Sequence, residues 1–263
     1  MSDATMRPSL SMLGWALNEE ANIAEYVRRA EAFLSSVSDD CELILFDDGS
    51  SDATWQMMQE LAATRPWMRP VRNDRNRGPG YCYRTGIAKA SKAYFMAQTV
   101  DWAYDIEAFK PEMGRLGTYD ILQGVRPGEY TLGALRSRSD SLYKGIVSLT
   151  NYTLIRVLFR LPFADFQNVT ICPTRLAQPL TLEAEGSFTN PEVMMKLYWA
   201  GASFLQVPVR FQKRGRGKGT GTRVGAIAQS IADIIGKWLR WVVFDRYPER
   251  RSGLVDSVAT LKK

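Results

Sequence analysis

Three short acidic segments follow stretches of the sequence that have the apolar pattern of buried strands. They are residues 18–20 with Asn18 and Glu20, the pair Asp47 and Asp48, and Asp101. The carboxyl ends of parallel strands meet at one edge of a sheet, where open α/β sheets bind ligands. An aspartate there can accept hydrogen bonds from a nucleobase or ribose, while the amides of the next helix face anionic groups. These segments therefore predict a ligand site, and a capped turn without a ligand is the alternative.

The absence of histidine narrows the chemistry. It excludes Ser-His-Asp and Cys-His nucleophiles, histidine-ligated zinc and an imidazole base. Cys41, Cys82 and Cys172 are too few and too scattered for a disulfide framework or a zinc cluster. We interpret them as core residues of a protein from a reducing compartment. Acid–base work must then fall to carboxylates, lysine, tyrosine or the substrate itself.

The elements that must position the acidic segments alternate between strand-like and helix-like patterns. This alternation predicts an α/β domain around a mostly parallel sheet flanked by helices. Predicted strands cover residues 9–16, 41–46, 67–72, 93–100, 119–125, 167–172 and 203–211. Predicted helices cover residues 22–34, 53–63, 80–91, 140–159 and 191–200. A length of 263 residues fits one such domain over residues 1–222 and a C-terminal appendage over residues 223–263.

The net charge of +6 is concentrated in one segment. Residues 207–232 contain six basic and no acidic side chains, namely Arg210, Lys213, Arg214, Arg216, Lys218 and Arg223. This segment predicts an anionic partner. Nucleic acid is a weaker interpretation, because residues 212–222 offer no aromatic ring on which a base could stack.

Residues 224–244 form a predicted amphipathic helix in which Trp238 and Trp241 lie among basic residues. Such a helix suits the membrane interface, and packing on the main domain or on another subunit is the alternative. The sequence has no signal peptide and no apolar run of about 18 residues. We therefore expect a cytoplasmic protein, with peripheral contact to the inner face of the membrane as an option. The oligomeric state stays open.

Three motifs, taken in their order and spacing, carry a family resemblance. Residues 16–23, 45–52 and 76–90 resemble the inverting nucleotide-sugar glycosyltransferases of family 2, which have the GT-A fold. The resemblance covers residues 10–222. Residues 201–209, with the Arg/Gly/Lys loop that follows, are similar to polyprenyl-phosphate sugar synthases of the dolichyl-phosphate mannose type. The family resemblance implies inverting transfer of a sugar from a nucleotide-diphosphate donor to a membrane-associated acceptor, which is expected to be a polyprenyl phosphate.

The resemblance also implies a donor site. Its residues are Ala16, Asn18, Glu20, Asp47, Asp48, Gly78, Arg216 and Lys218. In this site Asp47 contacts the base or ribose, and Asp48 braces the turn. Arg216 and Lys218 lie in a loop that would close over the leaving diphosphate and exclude water.

Asp101 corresponds by resemblance to the second carboxylate of the family's DXD motif, which holds Mg²⁺ or Mn²⁺ against the diphosphate. Thr99 stands where the first aspartate is expected, and Asp105 follows one helical turn later. One carboxylate, the diphosphate and water can supply enough oxygen ligands. Thr99 in place of the first aspartate is therefore expected to affect the metal requirement more than the binding of the donor. The alternative role of Asp101 is to cap a helix that begins near Tyr104.

The resemblance also implies that Asp165, Arg126 and Arg138 contact the acceptor. Asp165 would be a general base towards a hydroxyl acceptor. Towards a lipid phosphate, which is already anionic, it would orient the acceptor or the metal. Arg126 and Arg138, with Arg136, resemble the cations that gather around phosphates in the lipid-phosphate synthases. Glu192 matches a family glutamate, with first-turn capping as its alternative.

Other functions stay open beside this one. The acceptor could be a hydroxyl group of a glycan or glycolipid. The protein could also be a non-catalytic binder of nucleotide sugars or lipid phosphates that lost activity with the altered DXD motif. Release of nucleoside diphosphate distinguishes the enzyme from the binding protein.

Overall fold

The sheet is described by a computed structural model that covers residues 7–126, 142–166, 168–186, 188–210 and 224–244. Within these ranges seven strands form one sheet in the order β3-β2-β1-β4-β6-β5-β7. The strands are β1 Leu10–Ala16, β2 Cys41–Asp47, β3 Met68–Arg72, β4 Tyr94–Ala97, β5 Ile121–Val125, β6 Thr170–Pro173 and β7 Phe204–Pro208. β6 is antiparallel to both neighbours, and every other pairing is parallel. The carboxyl ends of β1 to β4 therefore share one edge.

Helices cover both faces of this sheet. They are α1 Glu20–Val37, α2 Thr54–Ala63, α3 Pro79–Lys89, a 3₁₀ helix Ile106–Arg115, α4 Leu142–Leu158, α5 Thr174–Ala177, α6 Thr189–Trp199 and α7 Val224–Trp238. A π-helical turn, Leu239–Val243, continues α7. No described helix is both long and apolar enough to cross a bilayer.

The two faces have separate cores because side chains along a strand alternate between them. Met12 of β1 packs with α1, α2 and the 3₁₀ helix, whereas Leu13 packs with α3, α5 and α6. On α1, the helical spacing of Ile23, Val27 and Ala30 predicts a buried face. All three are fully buried, as is the next residue of this face, Leu34.

The chain between β4 and the 3₁₀ helix differs from the prediction. β4 ends at Ala97, three residues earlier than expected, and the helix begins at Ile106. Trp102 adopts a left-handed φ of 51°, and the Gln98 side chain donates to the Tyr104 carbonyl. These features turn the chain before a helix can form. Asp105, not Asp101, precedes the helix, so the capping alternative for Asp101 is wrong.

A third apolar cluster joins α4, α6 and α7. Ile234 and Trp241 are buried in it, and Trp241 lies against Phe159 and Phe188. The expectation that Trp241 meets the membrane interface is therefore wrong, because protein side chains cover its ring. Exposed apolar side chains lie elsewhere on this helix and its continuation, at Ile235, Leu239, Val242, Val243 and Phe244. We call these five residues the outer ridge.

Candidate functional site

The loops after β1 and β2 are joined by reciprocal hydrogen bonds. The Asn18 amide donates to Ser50 Oγ (2.9 Å), and Asn18 Oδ1 accepts from the Ser51 amide (2.9 Å). Asn18 adopts a left-handed φ of 55°, which asparagine tolerates better than most residues. Glu20 Oε2 accepts from the Ala53 amide (3.0 Å) at the start of α2. Asn18 and Glu20 thus fix one loop to the other, and Ala16 ends β1 just before them.

Asp47 ends β2 and is fully buried. Its Oδ1 accepts from the Ser50 amide (3.1 Å), and its Oδ2 lies 3.2 Å from Arg72 Nε. Arg72 ends β3 and is half exposed, with its guanidinium 5.5 Å from the centre of the Trp55 ring. The Asp47 carboxylate is therefore already paired with Arg72, which in turn contacts Trp55.

Asp48 braces the loop between β3 and α3. Its carboxylate accepts from Asn73 Nδ2 (2.7 Å) and from the amides of Arg77 and Gly78 (both 2.8 Å). Gly49, with a φ of +80°, lies so close to the Arg75 backbone that a side chain there would overlap it. The two aspartates thus have different roles: Asp47 pairs with Arg72, and Asp48 orders the loop that contains Gly78.

A cavity of about 200 Å³ lies beside this edge, between β4, β6 and the start of α3. Its aromatic lining comes from Trp15, Tyr83 and Tyr104, and its polar lining includes Thr99, Asn168, Thr170 and Asn190. Buried polar groups normally have a hydrogen-bond partner. Here Thr99 Oγ1, Asn168 Nδ2 and Thr170 Oγ1 are buried and have none among the described residues. We call this space the donor-edge cavity. Its polar groups suit a ligand that carries hydroxyl groups.

Asp101 follows β4 by four residues and shares the edge with Asp47. β1 lies between their strands. Since neighbouring strands are about 4.8 Å apart, β2 and β4 run about 10 Å apart across the sheet. Both aspartates therefore follow strands at the carboxyl edge of the sheet, on either side of β1.

The fit of a metal ion rests on few side chains. No group of three or more His, Cys, Asp or Glu residues that could hold a metal lies within the described ranges. Thr99 Oγ1, two residues before Asp101, is a buried oxygen with no hydrogen-bond partner among the described residues. Mg²⁺ is commonly bound by one or two protein oxygens together with substrate phosphates and water. Asp101 and Thr99 therefore fit a cation shared with a diphosphate, and not one held by protein ligands alone.

Asp165 and Arg126 contact each other. Arg126 Nε lies 2.8 Å from Asp165 Oδ2, and a second guanidinium nitrogen donates to Oδ1 (3.1 Å). Asp165 is fully buried and Arg126 nearly so. Asn168, three residues after Asp165, lines the donor-edge cavity. The remaining predicted cations of the site, Arg138, Arg216 and Lys218, lie outside the described residues, as does Arg136.

Glu192 does not cap its own helix. Its carboxylate accepts from the amides of Glu183 (2.9 Å) and Ala184 (2.7 Å) and pairs with Lys196 (3.1 Å). Lys196 Nζ also lies 4.8 Å from the centre of the Trp241 ring. Glu192 thus fixes the backbone of residues 183–184 by hydrogen bonds. Gly186, two residues further along, lines the cavity.

Sequence reasoning missed Trp15, Tyr83 and Asn190 as cavity residues. Tyr83 donates its hydroxyl hydrogen to Asn190 Oδ1 (3.1 Å), across 107 residues of sequence. Trp15, one residue before the end of β1, carried the one usable signal. An aromatic residue near the carboxyl end of a parallel strand lies close to the edge of the sheet where ligands bind.

Comparison with known proteins gives the family. The model of the family described as Glycosyl transferase family 2 matches residues 15–174, more than half of the chain. A protein of Mycobacterium tuberculosis (strain CDC 1551 / Oshkosh) that is named as a glycosyltransferase is 25% identical over 247 residues. That match covers 89% of this chain and 66% of the relative. This chain therefore spans slightly less than two thirds of the relative's length.

A shorter match involves a lipid-phosphate enzyme. An undecaprenyl-phosphate 4-deoxy-4-formamido-L-arabinose transferase of Pseudomonas fluorescens (strain Pf0-1) is 44% identical over 46 residues, which is 18% of this chain and 14% of that protein.

The structural likeness extends over most of the chain. Glucosyl-3-phosphoglycerate synthase from Mycobacterium tuberculosis, crystallised with Mn²⁺, uridine diphosphate and phosphoglyceric acid, superposes with a TM-score of 0.60 and 18% identity. The superposition covers 88% of this chain and 78% of that enzyme. It confirms the expected fold, a mostly parallel GT-A sheet flanked by helices. This chain belongs to glycosyl transferase family 2.

Proposed function

We propose that the chain is an inverting glycosyltransferase that moves a sugar from a nucleoside-diphosphate donor to a phosphate-bearing acceptor. The acceptor that we favour is a polyprenyl phosphate. The observation that carries the proposal is the shared edge of β2, β1 and β4. At this edge Asp47, Asp48 and Asp101 follow β2 and β4. A cavity with buried hydroxyl and amide groups that have no described partner lies between β4, β6 and the start of α3.

The donor is bound along this edge. Asp47 accepts a hydrogen bond from the base or ribose, and Arg72 moves aside or stacks on the base with Trp55. Asp48 keeps the loop before α3 in place through its three hydrogen bonds. Gly78 precedes the N-terminus of α3, whose unpaired amides favour a neighbouring anion. The basic residues Arg216 and Lys218 are proposed to meet the diphosphate.

A divalent cation fits between Asp101, Thr99 and the diphosphate. Mn²⁺ accompanies uridine diphosphate in the glucosyl-3-phosphoglycerate synthase structure, and Mg²⁺ does so in another structure of that enzyme. When bound, such an ion neutralises charge that develops on the leaving diphosphate. Asp101 and Thr99 would position it, and Asp101 would hold it most strongly.

The acceptor is proposed to lie near Arg126 and Asp165. A carboxylate in a two-point contact with arginine is a poor proton acceptor, because the cation favours its charged form. This favours an acceptor that arrives already ionised, such as a phosphate, over a hydroxyl group. Phosphoglyceric acid in the similar structure and the undecaprenyl-phosphate transferase match both involve phosphate-bearing molecules. Arg138 is proposed as a further phosphate contact.

Membrane contact is proposed through the outer ridge of α7. A lipid-linked acceptor lies at a membrane surface, and five exposed apolar side chains in and after one helix suit that surface. A hydroxyl acceptor and a non-catalytic binding role remain the competing functions.

The test is sugar transfer by the full chain. Labelled nucleotide sugars with different bases are offered with Mn²⁺ and either vesicles that contain undecaprenyl phosphate or a glycan acceptor. Nucleoside diphosphate release is measured together with labelled lipid or glycan. Asp101→Asn is expected to lower turnover at least about 10²-fold. Asp39→Asn, an exposed carboxylate paired with Arg7, is the matched control.

Each outcome assigns a function. Diphosphate release without labelled lipid, but with a labelled glycan, indicates a hydroxyl acceptor. No release with any donor, together with saturable nucleotide binding, indicates the binding protein. If Asp101→Asn turns over at an unchanged rate, Asp101 does not hold a catalytic metal ion.

A further inference from the structure

A second cavity lies at the opposite edge of the sheet from the donor site. It has a volume of about 410 Å³, which is within the range of about 300–1,000 Å³ that ligand pockets generally occupy. Its polar lining consists of Ser91, Lys92, Tyr94, Thr174, Arg175 and Gln178. We call it the opposite-edge cavity. Nothing in the proposed transfer reaction uses it.

The lining is cationic. Lys92 and Arg175 are the charged residues around the cavity, and no carboxylate lines it among the described residues. Lys92 pairs with Asp40, whose side chain is largely exposed. Arg175 is exposed and makes no hydrogen bond or ion pair with any described residue. A positive charge is therefore available to a ligand.

A buried hydroxyl group adds a second observation. Thr174 is only 5% exposed, and its Oγ1 has no hydrogen-bond partner in the described structure. A buried hydroxyl without a partner is costly unless a ligand or water supplies one. Thr174 and Arg175 both line the cavity, where the chain passes from β6 into α5.

The neighbouring acidic groups are already engaged. Asp120 accepts from the amide and hydroxyl of Ser203 (both 2.7 Å). Glu42 accepts from the amide (2.7 Å) and hydroxyl (2.9 Å) of Ser91 and pairs with Arg69 (2.6 Å). Their charges are therefore partly balanced, and repulsion of an anion from the cavity is reduced.

We propose that the opposite-edge cavity binds the phosphate group of a small, soluble phosphorylated molecule. Arg175 offers a planar pair of donors that matches phosphate oxygens, Lys92 adds a second positive charge, and the Thr174 hydroxyl donates to the same group. The remaining volume holds the organic part of the ligand.

The site adjoins the strands that wall the donor-edge cavity. Tyr94 of β4 lines the opposite-edge cavity and Ala97 lines the donor-edge cavity, about 10 Å away along the strand. On β6, Thr170 lies at the donor edge and Pro173 at the opposite edge. A phosphorylated ligand would thus contact the far end of the strand pair that forms one wall of the active site.

The experiment is calorimetric titration of the full chain at constant ionic strength, with inorganic phosphate and then glycerol 3-phosphate as probes. Saturable binding of both is expected. Arg175→Gln should weaken it at least about tenfold, since a charge-assisted contact exceeds about 1.4 kcal/mol. Thr174→Val, which keeps the side-chain shape, should weaken it severalfold. Circular dichroism verifies that each variant is folded.

Two controls separate this site from others. Arg28→Gln and Lys110→Gln each remove a surface cation that lines neither cavity. Both should bind phosphate like the unmodified chain. The proposal is overturned if no saturable binding occurs, if Arg175→Gln binds as well as the unmodified chain, or if either control loses binding. It is also overturned if only vesicles with phosphatidic acid bind, and soluble phosphates do not.

Discussion

Asp165 and Arg126 form a two-point ion pair in which both side chains are withdrawn from solvent, with exposed fractions of 0% and 6%. The pair joins the segment before β6 to the end of β5. The Gln123 side chain adds a hydrogen bond to the Asp165 carbonyl (2.5 Å). Two residues that the family resemblance assigns to the acceptor side are thus bound to each other, and the pair fixes the segment before β6 against the end of β5.

The first prediction concerns this pair. Asp165→Asn should lower the free energy of unfolding by about 3 kcal/mol, because it leaves a buried guanidinium without its anionic partner. Urea unfolding measures the loss. Glu25→Gln is the control, since its pairs with Arg28 and Arg29 are exposed to solvent and should contribute little to stability. An Asp165→Asn chain as stable as the unmodified one would contradict the packing described for this pair.

The second prediction concerns the contact between α3 and residue 185. Gly80 lies so close to the Glu185 carbonyl that an added Cβ would overlap it. Gly80→Ala should therefore lower the free energy of unfolding by about 1–3 kcal/mol. It should also weaken nucleotide binding, since the neighbouring Gly186 and Pro79 line the donor-edge cavity.

Gly236 provides the matched control. It lies within α7, and no described atom beyond its own helix backbone and chain neighbours lies within 4 Å of the position of an added Cβ. Gly236→Ala should therefore raise the free energy of unfolding by about 0.5–1 kcal/mol, through helix propensity. Equal effects of the two substitutions in urea unfolding would show that the close approach at Gly80 is not what determines stability.

The fold was predictable wherever local pattern and burial agree. β2 is a continuous apolar run with both faces covered, and its predicted span differs from the observed one only by Asp47. The chain after β4 was not predictable, because the left-handed Trp102 and the hydrogen bond from Gln98 depend on packing around them.

The site was predictable in part. The positions of Asp47 and Asp48 follow from strand ends, but the partners of these carboxylates do not. Arg72 reaches Asp47 only because β2 and β3 pair in parallel register. Arg126 and Asp165 are 39 residues apart, and their contact depends on the antiparallel pairing of β5 with β6. Sequence spacing alone carries no information on such long-range pairs.

The third prediction concerns Cys82. Burial, helped by the negative charge of Asp48, raises the pKa of the Cys82 thiol from 9.0 to about 12. Below pH 9 the thiol is protonated in both states and adds no pH dependence. Between pH 9 and about 12 only the unfolded thiol loses its proton, so the free energy of unfolding falls as the pH rises, by up to about 1 kcal/mol per pH unit.

Cys82→Ala isolates this contribution from the other alkaline groups. Urea unfolding of both chains is measured at pH 8.5, 9.5 and 10.5. The stability difference between them should be largest at pH 8.5 and should shrink above pH 9. A difference that stays constant with pH would mean that the thiol titrates normally in the folded protein.

The last prediction separates the two sides of α7 and its continuation. Trp241 is 2% exposed and packs on Phe159 and Phe188, whereas Leu239 and Val242 of the outer ridge are 38% and 42% exposed. Trp241→Ala should therefore lower the free energy of unfolding by about 3 kcal/mol, because it leaves a cavity in the third cluster. The double variant Leu239→Ser and Val242→Ser should leave stability nearly unchanged, because these side chains are already in contact with water.

Vesicle co-sedimentation then tests the outer ridge. If it contacts lipid, the double serine variant should bind vesicles at least about tenfold more weakly, since each apolar side chain contributes to insertion at the interface. Val157→Ser, at an exposed apolar residue of α4 outside the ridge, is the control and should bind like the unmodified chain. Equal vesicle binding by the double variant and the unmodified chain would remove the ridge from membrane contact.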